Sequence, residues 1–290
     1  MTAGPAIGAR APGALESIEG SATAQRRRRG TGSFIWWIVF LIGFLYFFLP
    51  LVGALEFSLR TTQPFGAYTN AIRDPGFARG LIYSFTVGVI TIIASLAIIV
   101  PTAYWVRLRV PRLRPVVEFV TLVPFVIPPV VLVFGLIRIY GSRPLTLLSS
   151  ELGANFVLVA AYTVLSFPYM YRAVDTGLAA IDIRSLTEAA QSLGASWPRI
   201  ILQVILPNLR TALLSGAFLT LAIVIGEYTI AIFLGRQAAF GPYLSLLGQN
   251  KAYEPAAVSL ISFGLTWLAM GIIAIVGRGS RTRVQIAGAR

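Results

Sequence analysis

The side chains that could do chemistry in this sequence are few and limited in type. The 290 residues include neither histidine nor cysteine, which excludes disulfides, thiolate nucleophiles, imidazole bases and most zinc sites. The single lysine, Lys251, lies outside any GxxxxGKS or GxxxxGKT pattern, so the sequence has no P-loop for a nucleotide phosphate. Any dependence on ATP must therefore come from a partner, and we expect no cofactor in this chain.

One carboxylate lies inside an apolar run. Glu227 occurs in the segment IVIGEYTIAIFL, directly before Tyr228, and a charge at such a depth costs about 2.5–3.5 kcal/mol on membrane-insertion scales. A carboxylate beside an aromatic ring suits a cationic solute, through ion pairing and cation–π attraction. A structural pair with an arginine of a neighbouring span or subunit explains Glu227 equally well. Glu227 and Tyr228 are therefore candidate contacts for a cationic ligand, with the structural alternative open.

A second apolar run, LVPFVIPPVVLVFGLI, contains three prolines, Pro124, Pro128 and Pro129. Each removes a backbone hydrogen bond and costs about 3 kcal/mol in an ordinary helix interior. In a membrane such breaks persist where neighbouring helices or a cavity satisfy the freed carbonyls, so we expect this segment to be packed inside protein. A simple kink and a role in lining a transport pathway, with Pro128 and Pro129 at its wall, both remain open.

A polar segment, EAAQSLGASWPRIILQVILP, interrupts the apolar runs at residues 188–207. Just before it, Ser185 and Glu188 match the capping box S-x-x-E, which predicts a helix that starts at Leu186. Gly194 favours the left-handed turn that ends such a helix. Glu188 then either satisfies a backbone N–H as part of the capping box or carries a charge to a partner.

The second half of this segment predicts another short helix, joined to the first at an elbow. Ser196 can cap it, Pro198 fits its first turn, and Pro207 stops it. The small residues Ala189 and Ala190 would let a partner approach closely, and a helix-in-groove contact is expected. The apolar anchors predicted for that contact are Leu193, Trp197, Ile200 and Ile201.

The elements that must position these residues are membrane-spanning helices. Hydrophobic residues make up 56% of the chain, charged residues 12%, and the mean hydropathy is +0.77, which indicates a polytopic membrane protein. A spanning helix needs about 20 predominantly apolar residues. The stretches that qualify are 34–58, 81–106, 116–140, 156–174, 210–235 and 256–277.

Arginine placement predicts how these spans are oriented. The formal net charge is +13, and most arginines fall in the segments that an even number of spans places on the side of the N-terminus. By the positive-inside rule both termini are cytoplasmic, so the charge indicates topology rather than a nucleic-acid surface. We expect a disordered tail at 1–33, a membrane domain at 34–277 and a basic tail at 278–290.

The polar elbow resembles a known family motif. Glu188-Ala189-Ala190, Gly194, and the run from Val204 to Pro207 are similar to the pattern EAA-x3-G-x9-I-x-L-P, with valine in place of the first isoleucine. That pattern marks the EAA loop of the permease subunits of binding-protein-dependent ABC importers, and the resemblance covers roughly residues 34–280. It implies an all-α membrane protein of the six-span type I ABC importer permease architecture, in a bacterial inner membrane.

The resemblance also implies partners and site residues. The loop, at about residues 182–207, would be the coupling helix that docks in a cleft of the ATP-binding subunit. Two such subunits would bind ATP and magnesium. The other implied partners are a second permease, homologous or identical, an extracytoplasmic solute-binding protein and membrane lipid. The implied coupling residues are Glu188, Ala189, Ala190, Leu193, Gly194, Trp197, Leu206 and Pro207.

The substrate is predicted less directly. The segments IGEYTIAIFL and AFGPYLSLLGQNKAYEPAAVSLISF most resemble the spermidine/putrescine branch, which implies a polyamine and supports Glu227 as a cation contact. Ferric iron, thiamine, phosphonate or oxyanion transport are the alternatives within the same role. A passive channel leaves the elbow motif unexplained, and an intramembrane enzyme lacks a close acidic pair at depth.

Overall fold

The computed structural model describes residues 13–63 and 65–278, and in these residues the regular structure is entirely helical. The chain divides into two compact units after Glu56. The helices are α1 Gly13–Ser58, α2 Gly66–Arg73, α3 Pro75–Arg109, α4 Arg114–Val126, α5 Pro129–Tyr140, α6 Glu151–Ala179, α7 Ile183–Ser192, α8 Trp197–Arg199, α9 Leu206–Asn208, α10 Arg210–Gly226, α11 Thr229–Phe233, α12 Phe240–Asn250 and α13 Glu254–Arg278. The all-α prediction is confirmed.

The first helix begins earlier than its apolar segment. Residues 13–33, predicted from composition to belong to a disordered tail, are helical in the structure. No proline interrupts this stretch, and its alanine, glutamate, glutamine and arginine residues favour helix, while Gly20, Gly30 and Gly32 weaken the helix without ending it. Residues 1–12 and 279–290, which include most of the predicted C-terminal tail, lie outside the described residues.

The described residues contain three helices long and apolar enough to cross a membrane, Trp36–Ser58 within α1, α3 and α6. Two bent pairs raise this number to five if each pair forms one span: Pro111–Val126 with Pro129–Tyr140, and Trp197–Asn208 with Arg210–Gly226. Helix α13 covers the sixth predicted stretch. All six stretches therefore fall on helices, while the span count and the side of the termini stay predictions.

The proline-rich stretch is broken rather than kinked. Helices α4 and α5 meet at 95°, with Ile127 and Pro128 extended between them. A residue before proline avoids the helical region, and Ile127 and Pro128 each precede one, so two consecutive residues leave the helix. Pro129 then starts α5 at the position where its missing N–H does no harm.

The packing inside protein predicted for this stretch stays a prediction, because this chain alone leaves much of it uncovered. Helices α4 and α5 bury only a few side chains, and large apolar residues remain exposed, with Phe119 and Phe125 each at 69% and Val126 at 78%. Helix α4 packs against α6, and α5 packs through Val133 into a core cluster that α6 also lines, so the remaining faces of both helices are left open. Pro128 and Pro129 are exposed as well.

The fifth predicted span is interrupted too. Helix α10 ends at Gly226 and α11 begins at Thr229, so Glu227 and Tyr228 lie in a break rather than in a continuous helix. Helices α5 and α11, which follow the two breaks, are in contact, and the rings of Phe134 and Phe233 lie 5.1 Å apart. The short helices that follow the two breaks therefore pack against each other.

Candidate functional site

The elbow's first helix begins at Ile183, three residues before the predicted start. Asp182 caps it: one carboxylate oxygen accepts the backbone N–H of Ser185 at 3.2 Å and the other accepts the Ser185 hydroxyl at 2.7 Å. These hydrogen bonds lower the pKa of Asp182. The predicted capping box is therefore wrong, because aspartate supplies the cap and Glu188 lies in the helix interior. The capping explanation of Glu188 falls with it.

Helix α7 ends at the turn that the sequence predicted at Gly194. Gly194 has φ +75°, its N–H donates to the carbonyl of Gln191, and the N–H of Ala195 donates to the carbonyl of Ala190. This pair of bonds is the Schellman motif. A Cβ on Gly194 would meet nothing within 4 Å, so the backbone conformation, and not crowding, requires glycine here.

Helix α7 has one buried face and one exposed face. Ile183, Thr187 and Ala190 are buried, and the Thr187 hydroxyl lies 2.8 Å from the hydroxyl of Tyr104, which is itself fully buried near the C-terminal end of α3. Two of the predicted coupling residues, Glu188 and its neighbour on the same side, Ala189, are exposed. The helix is therefore fixed to the protein along one side and open along the other.

The second arm of the elbow is less regular than predicted. It starts at Trp197, passes through a π-helical stretch at Ile200–Ile205 and ends as α9, with a bend of 83° before α10. Pro207 has no N–H to donate, and its ring crowds the carbonyl four residues earlier. Wider π turns directly before the proline accommodate this clash. The arm ends one residue beyond Pro207.

Most of the predicted anchors point inward. The ring of Trp197 lies 4.7 Å from that of Trp105 and 6.1 Å from that of Tyr104, and the Arg109 guanidinium lies over both indoles at 5.4–5.7 Å. Ile200 is fully buried, and Ile201 is partly buried against the same cluster.

Among these anchors only Leu193, at 88% exposure, is open to a partner. The other predicted coupling residues divide in the same manner. Ala190 and Leu206 face the core, while Gly194 and Pro207 are exposed. Of the residues predicted to contact the partner, those that remain exposed are Glu188, Ala189, Leu193, Gly194 and Pro207.

Glu227 is occupied by hydrogen bonds within the chain. Its carboxylate accepts the backbone N–H of Ile230 at 2.9 and 3.0 Å and that of Ala231 at 3.3 Å, and the Tyr162 hydroxyl donates to it at 3.0 Å. It therefore caps α11 across the break, and in the described residues no arginine forms an ion pair with it. Tyr228 beside it is 41% exposed.

The break at Glu227 is held from a second direction. A Cβ built on Gly241, at the start of α12, would lie only 3.0 Å from the carbonyl carbon of Glu227 and 3.1 Å from the Cα of Tyr228. Only glycine allows this approach of α12 to the backbone. The cap and the close contact together fix the conformation between α10 and α11.

A hollow of about 570 Å³, which the sequence did not predict, lies between α4, α6 and α10. Its wall includes Phe125, Tyr169, Arg172 and Ser215. A more polar hollow of about 330 Å³ adjoins it and shares Arg172. The tentative pathway residues Pro128, Pro129, Glu227 and Tyr228 are absent from the described walls of both hollows.

Arg172 and Asp175 are three residues apart on α6, a spacing that favours an ion pair between them. The charges around the polar hollow pair differently. Asp175 instead contacts Arg114 at 2.8 Å and Arg107 at 3.7 Å, and Arg114 also contacts Glu118 at 3.0 Å. Since these partners come from α3 and α4, the sequence of α6 alone could not reveal them. Arg172 is left without an ion pair among the residues described.

The chain is similar to a family model and to several known proteins. The model of the family "binding-protein-dependent transport system inner membrane component" matches residues 94–282. A probable molybdenum ABC transporter permease of Haloferax volcanii is 30% identical, over 80% of this chain and 84% of that protein. A spermidine/putrescine transport system permease of Haemophilus influenzae is 26% identical, over 84% of this chain and 91% of its own length.

A solved structure shares the fold. The crystal structure of a bacterial ABC transporter involved in the import of the acidic polysaccharide alginate matches with a TM-score of 0.64. The match covers 90% of this chain and 99% of that one at 16% sequence identity, so it carries information on the fold alone.

Proposed function

The chain belongs to the family of inner-membrane components of binding-protein-dependent transport systems, and from that premise we propose that its elbow, residues 182–207, transmits movements of an ATP-binding partner to the membrane helices. The chain is a multi-pass protein of the bacterial inner membrane and a transport permease of an ABC importer, not an enzyme. Its partners therefore include an ATPase and a substrate-binding protein.

The observation that carries the coupling proposal is the two-sided construction of α7. Its inner face is joined to α3 through Thr187 and Tyr104, while Glu188 and Ala189 on the other face are exposed. A helix that is packed against its own protein on one face and exposed on the other can bind a partner without losing its internal packing. Leu193 offers an exposed apolar contact at the end of the same helix.

The coupling proposal is tested by Glu188→Gln in the complete transporter, reconstituted with its ATPase and binding protein. We expect weaker stimulation of ATP hydrolysis by the loaded binding protein, because glutamine cannot carry a charge to the partner. Glu151→Gln is the control, since it removes an exposed carboxylate at the opposite end of α6. Full stimulation in both variants contradicts a charged contact at Glu188.

The assembly we propose contains two ATP-binding subunits, a second permease that is homologous or identical, and an external solute-binding protein. The exposed apolar surface of α4 and α5 is open to lipid or to the second permease, since the apolar side of a membrane helix can face either one. ATP and magnesium would be bound by the ATPase subunits, and this chain would contribute coupling and the solute path.

For the solute we favour a small oxyanion such as molybdate. The relative from Haloferax volcanii is named for molybdenum transport, and the hollow between α4, α6 and α10 presents an arginine without an ion pair in the described chain. The cation site predicted at Glu227 loses support, because that carboxylate already accepts bonds from Tyr162 and from the start of α11.

A polyamine is the second candidate, supported by the Haemophilus influenzae relative named for spermidine and putrescine. Uptake of radiolabelled molybdate and spermidine by cells that express the whole transporter separates the two. We expect accumulation of molybdate that excess tungstate competes away and excess spermidine leaves unchanged. The reverse pattern would restore the polyamine prediction and leave the permease role untouched.

A further inference from the structure

Arg172 is an unusual charge for its position in the fold. It belongs to α6, a helix apolar enough to span a membrane, and lies toward the end of that helix, where an arginine can extend to the membrane interface but here has no ion pair in the described chain. It is exposed and lines both hollows. The described part of the chain offers it no carboxylate, since the nearest candidate one turn away, Asp175, is held by Arg107 and Arg114.

The charges around Arg172 leave a positive excess. Arg107, Arg114 and Arg172 contribute three positive charges, while Asp175 and Glu118 contribute two negative ones. The two acids are satisfied by the first two arginines. The unbalanced charge is therefore located on Arg172, at the point where the polar hollow opens into the larger one.

The remaining groups near Arg172 suit an anion that is bound and then released. Thr176 and Tyr169 line the larger hollow beside it and add hydroxyl groups, while the hydroxyl of Ser215 in the same lining donates to the carbonyl of Thr211. A guanidinium offers several N–H donors in a planar fork that matches oxyanions. In the described lining of the larger hollow no carboxylate competes for it.

From this arrangement we propose that Arg172 binds the transported oxyanion at the inner part of the path, in the hollow between α4, α6 and α10. The proposal rests on the oxyanion transport proposed above and names the residue that contacts the solute. A lipid phosphate has the same chemistry, and the experiment has to separate the two sources. In our proposal the ligand is the solute, and lipid would hold Arg172 only as an anchor.

The absence of cysteine from the chain allows a direct test through Arg172→Cys. The complete transporter is purified with this variant and treated in detergent with a methanethiosulfonate reagent that adds either an aminoethyl or a sulfonatoethyl group. It is then reconstituted into vesicles for uptake of radiolabelled molybdate, normalised to the amount of assembled complex. Wild-type complex treated in parallel reports any modification of the partner subunits.

We expect Arg172→Cys to lower molybdate uptake about tenfold or more, the effect of losing one hydrogen bond to a charged group. The aminoethyl reagent should recover a substantial part of the uptake, because it restores a positive charge, and the sulfonatoethyl reagent should not. Arg138→Cys is the matched control, an exposed arginine of α5 outside both hollows, and it should transport like wild type.

Three results would count against the proposal, and they are distinguishable. Normal uptake by Arg172→Cys overturns the solute contact while oxyanion transport stands. Loss of assembled complex, with normal uptake per complex that survives, assigns Arg172 to lipid or to a partner and overturns it as well. If the wild-type transporter imports spermidine and no molybdate, the proposed solute fails first and the site at Arg172 fails with it.

Discussion

Two helices of this protein begin at a carboxylate, yet their surroundings differ completely. Asp182 starts α7 in an exposed polar elbow, and Glu227 starts α11 in the middle of an apolar run. In the elbow the cap is one of several local signals and needs no distant residue. At Glu227 the cap is completed by Tyr162 from α6 and by the close approach of Gly241. The same type of cap therefore depends on neighbouring residues at Asp182 and also on distant segments of the chain at Glu227.

A charged residue in a membrane helix can have a structural cause as well as a functional one. An isolated glutamate in an apolar run indicates a function, and here a break in the helix supplies the donors that it needs. The N–H groups of Ile230 and Ala231 are unpaired by the helix start itself, so the carboxylate and the break stabilise each other. A buried acid can therefore mark a break in a span as well as a ligand site.

The largest effect is expected from Glu227→Ala. This variant leaves the start of α11 and the Tyr162 hydroxyl without their acceptor, which should lower the free energy of unfolding by about 2 kcal/mol or more. Glu227→Gln keeps an acceptor and should lose less than half of that. Thermal unfolding of the purified complex measures both. If Glu227→Gln keeps full stability and loses uptake, the carboxylate contacts solute and our cap explanation is insufficient.

A somewhat smaller effect is expected from Gly241→Ala. The added methyl group would lie against the backbone at Glu227 and Tyr228, which overpacks the break and should destabilise the protein by about 1–3 kcal/mol. Gly264→Ala in α13 is the control, because a Cβ there meets nothing within 4 Å. Equal melting temperatures for the two variants would show that α12 does not hold the break.

In the elbow, Gly194→Ala should cost about 1–2 kcal/mol, because alanine is strained at φ +75°. Gly194→Asn should cost less, since asparagine tolerates the left-handed region. Hydrogen exchange of the last turn of α7 in the complex reports this change more directly than global unfolding. Identical exchange in wild type and Gly194→Ala would contradict a strained turn.

The smallest effect is expected from Asp182→Asn, and it depends on pH. The folded-state pKa of Asp182 is lowered, so its ionised form stabilises α7 above the ordinary aspartate pKa of about 3.9, and this stabilisation is lost as the pH falls through the lowered value. Asparagine also caps helices. Hydrogen exchange of the Ser185 amide should therefore differ between wild type and variant at neutral pH and converge in acid; a constant difference would contradict the assignment.

The sequence predicted those parts of the protein whose causes are local. The apolar stretches and the left-handed turn at Gly194 follow from residue type and neighbouring positions, whereas the sequence left a simple kink open at Pro128 and Pro129, where the structure has a 95° break. The start of α7 was misplaced because Asp182 and Ser185 both suit a cap, and only the structure shows that the aspartate takes that position.

The parts that could not be predicted depend on contacts between distant segments. Trp197 looks like an anchor for a partner until Trp105 and Arg109 of α3 are found beside it. Asp175 has a suitable arginine one turn away and instead pairs with two from other helices. No periodicity within α6 or the elbow contains this information, and the hollow at Arg172 was missed for the same reason.

Both arms of the elbow attach to the last turns of one helix. Thr187 of the first arm meets Tyr104, and Trp197 of the second arm stacks with Trp105 under Arg109, all at the end of α3. With 35 residues, α3 is about 52 Å long at 1.5 Å per residue. The two arms of the elbow therefore share one attachment site, so a displacement of either arm would have to disturb the packing at the end of α3.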